Sequence, residues 1–126
     1  MSDLNVNFVI LYVDSPAASA AFYADLLGRA PVEASPTFAM LAMDSGFMLG
    51  LWSRHTVAPA ATATGGGAEI AFIVPDVDAV HADWSARGLT IAQAPTSMDF
   101  GYTFVALDPD GHRLRVFTPA SAPVLE

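Results

Sequence analysis

The punctuation of this chain occurs twice, and that constrains its fold more than any other feature. The helix-opening aspartates Asp14 and Asp76 stand 62 positions apart. The helix-ending glycines Gly28 and Gly88 are 60 apart, and the hairpin-turn glycines Gly46 and Gly111 are 65 apart. Near-constant offsets at three unrelated kinds of break mark a duplicated unit. Each half must then fold as the same short series of elements.

The first copy opens with a β-branched and aromatic run over residues 5–13, which reads as a strand buried on both faces. Asp14-Ser15-Pro16 starts a helix, with Ser15 able to cap it and Pro16 suited to its first turn. Ala18, Phe22, Tyr23, Leu26 and Leu27 recur at helical spacing and predict one apolar face. Gly28 ends the helix. A short strand is expected around Pro31 to Glu33, then a hairpin of Thr37 to Met43 and Phe47 to Trp52 turning at Asp44-Ser45-Gly46. The second copy reads the same way. It has a strand over Glu69 to Val74, and a helix capped by Asp76 with Val77, Val80 and Trp84 on one face. Gly88 ends that helix and a short strand, Leu89 to Ala92, follows. The second hairpin runs from Gly101 to Leu107 and from Arg113 to Phe117 across Asp108-Pro109-Asp110-Gly111. The modules are therefore placed at about 5–53 and 68–118, joined by a flexible Ala/Thr/Pro/Gly-rich connection over 54–67.

Composition excludes several classes of function. The apolar fraction is 53% with 14% charged, which argues for a packed core. No apolar run has the length of a membrane helix, and the start lacks the basic and apolar blocks of a secretion signal. There is no cysteine, so disulfides, thiol chemistry and thiolate metal sites are excluded. Together these features lead to the expectation of a cytoplasmic protein. The net charge is −8, and the only permanent cations are five scattered arginines. Such a surface cannot displace counterions from a nucleic acid.

The residues Val13-Asp14, Phe22-Tyr23, Leu27-Gly28 and Asp108-Pro109-Asp110-Gly111-His112 resemble the vicinal-oxygen-chelate superfamily. That group includes glyoxalase I, the extradiol dioxygenases and the bleomycin-resistance proteins. The likeness covers about residues 5–118. It implies an α+β fold in which two βαβββ modules form a curled sheet, with helices outside and a concave cleft for a ligand. A homodimer is also implied.

Metal-using members place His, Glu or Gln at four inward-facing positions. Counted from the landmarks, these fall on Asn7, near Gly50, on Glu69 and on Arg115. Of the four, Glu69 alone is a good ligand for a divalent ion, and Arg115 would repel one. His55, His81 and His112 fit no metal position well: His81 is expected to face solvent from its helix, and His112 to be exposed in its turn. No cofactor is expected. Glu69 and Arg115 are candidates for a bidentate pair standing in place of the ion, or for an ordinary salt bridge facing water.

If Gly50 faces the cavity, strand alternation puts Met48 and Trp52 there too. The same parity sets Val9 and Leu11 beside Asn7, Ala71 and Ile73 beside Glu69, and Phe117 beside Arg115. Phe38, Met40, Phe100, Tyr102 and Phe104 are further candidates on strands of unfixed parity. Aromatic and methionine side chains with few polar groups suit a flat, conjugated ligand. The expectation is therefore a non-catalytic protein that binds or sequesters a small aromatic compound, as the phenazine- and bleomycin-resistance branch does. The alternatives are a divergent metalloenzyme and metal-free catalysis with Glu69 as general base.

Overall fold

The structure, a computed structural model, describes residues 5–120. It divides into two compact units, the first ending at Thr64 and the second beginning at Gly65. Both have the βαβββ order that the repeat predicts. The first contains β1 (Phe8–Val13), α1 (Pro16–Leu27), β2 (Glu33–Ala34), β3 (Phe38–Ala42) and β4 (Met48–Ser53). The second contains β5 (Glu69–Ile73), α2 (Val77–Ala86), β6 (Thr90–Met98), β7 (Gly101–Leu107) and β8 (Arg113–Pro119). Each unit builds its own four-stranded sheet, ordered β1-β4-β3-β2 and β5-β8-β7-β6. In both, the first strand pairs parallel to the last, and the remaining pairs are antiparallel. A helical crossover between parallel strands leaves the helix on one face of a sheet and the other face uncovered by it. The result is an α+β chain of two mixed, unclosed sheets.

Local chemistry explains where the elements start and stop. Ser15 caps α1, its hydroxyl accepting from the Ala18 amide at 3.1 Å, and Gly28 ends the helix in the left-handed region at φ 65°. Asp76 caps α2 in the same way through the Ala79 amide at 3.0 Å. The buried face of α1 is Pro16, Ser19, Ala20 and Tyr23, rotated from the expected stripe, and Ala18 is exposed. Small residues at 19 and 20 let the helix lie close to its sheet while Tyr23, fully buried, supplies the bulk. In α2 the expected Val77 and Trp84 are buried and Val80 is half-buried.

Three elements depart from expectation. The strand β1 begins at Phe8 and is buried on one face only, since Phe8 and Ile10 are 44% and 43% exposed. A continuous apolar run signals two apolar faces, which is not the same as two covered ones. Strand β6 extends to Met98 instead of stopping near Ala92, and it carries Pro95. It lies at a sheet edge, and its pairing with β7 shifts register between Ile91 and Gln93 and again between Gln93 and Thr96. An edge strand with bulges tolerates a residue without an N–H. The connection over 54–67 contains no helix or strand, yet Val57 is buried. At Gly65 a Cβ would lie 2.5 to 2.7 Å from backbone atoms of Gly111 and Asp110, so only glycine allows this approach to the β7–β8 turn.

Candidate functional site

In the first unit, register decides which side chains share the face that α1 leaves open. Gly50 pairs with Ile10 on one side and Met40 on the other. Met48 pairs with Phe8 and Ala42, and Trp52 pairs with Tyr12 and Phe38. The open face therefore carries Phe8, Ile10, Tyr12, Phe38, Met40, Met48 and Trp52. The expected facing of Trp52 and Met48 agrees with this, and Phe38 and Met40, on a strand of unfixed parity in the sequence, fall on the same face. Asn7, Val9 and Leu11 do not: alternation sets them on the opposite face, where Leu11 is buried. The cause is a one-residue slip. The helix cap of the first unit is Ser15, not Asp14, so the counterpart of Glu69, seven residues before Asp76, is Phe8, seven before Ser15.

Phe38 lies across the space that a side chain at Gly50 would fill. A Cβ there would meet two Phe38 ring carbons at 3.0 and 3.2 Å and Ile10 at 3.3 Å. The Phe38 and Trp52 rings stand nearly perpendicular, 88° apart with centroids at 6.2 Å. They form a corner in an open hollow of about 640 Å³, lined also by Phe8, Ile10 and, at its rim, Glu33, Ser35 and Thr37. Such a hollow offers aromatic faces and edges with a few polar groups on one side.

In the second unit the open face carries Glu69, Ala71 and Ile73 from β5, Arg113, Arg115 and Phe117 from β8, and Thr103 and Val105 from β7. Arg115 clamps Glu69 with two hydrogen bonds, Nε to Oε1 at 2.7 Å and one terminal nitrogen to Oε2 at 2.9 Å. Its other terminal nitrogen donates to Thr103 Oγ1 at 3.2 Å and Gln93 Oε1 at 3.3 Å. Arg113 stands 3.6 Å from Glu69 Oε2. The pair is bidentate, and the side chains of Arg115 and Glu69 are 18% and 29% exposed. The Arg115 hydrogen bonds hold the Glu69 carboxyl below its usual range, against the opposing effect of burial, and Glu69 raises Arg115 in return. A carboxylate so held is a poor general base.

Phe117 and Phe100 pack edge to face at 5.6 Å, and the Arg115 guanidinium lies 5.7 Å from the Phe100 ring centre. Phe100 and Phe117 therefore join the arginine cluster. Tyr102 and Phe104 do not. Alternation turns them toward α2, where the Tyr102 hydroxyl donates to Asp78 at 2.7 Å. Phe104 is fully buried against Trp84 and His81. His81 is thus half-buried on an aromatic ring instead of facing solvent, and His112, expected in an exposed turn, is buried. The Asp108 carboxylate accepts from the backbone amides of Asp110 and His112 and fixes that turn. His55 meets Asp14 at 2.7 Å. Sequence reasoning missed Phe8, Ile10, Gln93 and Thr103. For the first two a signal existed, the Ser15 cap; Gln93 lies beyond a bulge that no local pattern announces.

The positions at which related enzymes hold a metal do not fit one here. The first unit supplies Phe8 and Gly50, neither with a donor atom. The second supplies Glu69, with both oxygens engaged by Arg115, and Arg115 itself, which repels a cation. Among the described residues no three of His, Asp or Glu gather as a ligand set.

Residues 5–116 match the family model of the glyoxalase/bleomycin resistance protein/dioxygenase superfamily. The chain belongs to that superfamily. It is 27% identical over 118 residues to the phenazine antibiotic resistance protein EhpR of Enterobacter agglomerans, covering 87% of this chain and 88% of that one. A protein of Agrobacterium tumefaciens with a solution NMR structure is 54% identical, with a TM-score of 0.86 over 94% of this chain and 99% of that one. A glyoxalase-related enzyme from Fulvimarina pelagi is 26% identical, with a TM-score of 0.78 over 96% and 92%. Among the described residues no helix is long and apolar enough to cross a membrane.

Proposed function

We propose that this protein binds and sequesters a flat aromatic small molecule without transforming it, in the manner of a drug-resistance binding protein. The observation that carries this reading is the Phe38–Trp52 corner over Gly50, a hollow whose described lining is mostly aromatic and apolar, with Glu33, Ser35 and Thr37 as its polar members. Glu33 stands only at its rim, exposed to water. Likeness to a phenazine antibiotic resistance protein supports the same class of ligand. So do the donor-poor metal positions, which leave a Lewis-acid role without a ligand set. Assembly as a homodimer in the cytoplasm belongs to the same proposal.

The test is a fluorescence titration with phenazine, using dodecane-saturated buffer as an aliphatic control. Trp84, the second tryptophan, is buried on the inner side of α2, so a Trp52→Phe variant isolates its constant background. Saturable one-to-one quenching of Trp52, loss of at least about tenfold in affinity in Trp52→Ala, and recovery of intact phenazine are expected. No quenching at the solubility limit, or consumption of phenazine, would sink the proposal. A stoichiometric divalent ion in the purified protein, lost together with such consumption, would restore the metalloenzyme.

A further inference from the structure

The open face of the second unit holds two guanidinium groups against one carboxylate. Glu69 has already satisfied both of its oxygens on Arg115, the more buried of the two arginines. Arg113, half exposed, reaches that same carboxylate only at 3.6 Å, beyond hydrogen-bond length. The two arginine charges thus share one carboxylate on this face, Arg113 through an ion pair longer than a hydrogen bond.

A second donor is poorly matched beside it. The Gln93 amide gives its oxygen to Arg115, and its Nε2 donates to the Met98 sulfur at 3.6 Å. A thioether is a weak acceptor. Gln93, Arg113 and Arg115 line one notch of about 270 Å³, walled by Ala92 and Val105. A planar anion entering it would meet a half-exposed guanidinium, held to Glu69 by an ion pair only, and an amide N–H₂ that gains a stronger acceptor. The apolar walls suit the hydrocarbon body behind that anion.

We infer that this notch is a binding site for the carboxylate group of a small organic acid, with Arg113 and Gln93 as its donors. A carboxylate fits better than a bulkier tetrahedral anion because the guanidinium fork and a planar two-oxygen acceptor match in geometry. The negative charge of the whole molecule repels anions at long range. Within a Debye length of about 8 Å the local arginine charge dominates. This inference stands apart from the aromatic hollow of the first unit and does not depend on it.

The probes are 2-naphthoate and its neutral isostere 2-naphthamide, titrated into the full chain labelled with ¹⁵N. The readouts are the side-chain N–H signals of Gln93 and Arg113. Naphthoate should shift both saturably and bind at least about tenfold tighter than the amide. Arg113→Gln should remove that preference and Arg113→Lys should restore part of it, while the backbone spectrum stays folded. Equal binding of acid and amide in the wild-type protein overturns the inference whether or not any variant folds. Shifts that spread over the surface without touching Gln93 overturn it too. Phenazine carries no carboxylate, so its effect on Trp52 reports on the other site alone.

Discussion

At Gly50 a missing side chain shapes the open face of the first unit. A methyl group there must displace the Phe38 ring by a few tenths of an ångström, because contacts of 3.0 and 3.2 Å are too short. The ring is the free end of a side chain and can give, and reduced freedom of the unfolded chain offsets part of the strain. Gly50→Ala should therefore change stability by no more than about 1 kcal/mol in urea titrations. It should shift Trp52 emission, since Phe38 is the edge partner of that ring; an unchanged spectrum would remove Phe38 from its place. The Glu69–Arg115 pair predicts a pH effect. Because Glu69 titrates lower in the fold than in the unfolded chain, the pair stabilises the protein above the unfolded value, about 4.3. That contribution is lost as pH falls through the folded value. Arg115→Met should cost about 1 to 3 kcal/mol at pH 7, and the gap to wild type should narrow in acid. A gap of constant size from pH 7 to pH 3 would assign the loss to packing. The pair was legible because the family resemblance brings two positions to one site, and those positions could be counted from turns. The neighbour at position 8 was not, because Asp14 and Ser15 both look like helix caps and a one-residue slip exchanges the faces of a strand.

Among the elements, caps and turns are the most legible because single residues dictate them, and strand lengths are the least. The hairpin β7–β8 and both helices lie where Gly, Asp and Ser punctuation places them. Strand β6 runs past a proline because its position at the sheet edge, a tertiary fact, removes the penalty. The burial of Phe104 is tertiary too: its strand reads apolar throughout, and only the packing of α2 tells the inward side from the outward one. The cap of α1 can be tested directly. Ser15→Ala should destabilise the protein by about 1 kcal/mol in thermal or urea melts. Asp14→Ala should cost less, because Asp14 meets His55 and Arg54 at an exposed surface and does not cap the helix. A larger loss at Asp14 than at Ser15 would make Asp14 the residue that holds the helix start.

The molecule as a whole repeats one topology with two different surfaces. In each unit the sheet order puts the last strand second, flanked by the first strand and the third. That order gives both units the same buried ribbon: Leu49 and Leu51 in β4, and Leu114 and Val116 in β8. The open faces differ, one with aromatic rings over a glycine and the other with an arginine cluster around a carboxylate. Duplication thus constrains the helix-side residues by packing and leaves the open-side residues to vary with what each face contacts. Hydrogen exchange in the native state should reveal the shared part. Amides that open only with the core should be the slowest, so β4 in one unit and β8 in the other are expected to exchange together. The short edge strand β2 and the bulged edge strand β6 should exchange orders of magnitude faster, since each has one unpaired side and irregular or brief pairing. Rates in β4 and β8 that differ by more than about a hundredfold, or about 2.7 kcal/mol, would mean that the two units open separately. Rates that agree would mean that the two cores match in stability, whatever their open faces contact.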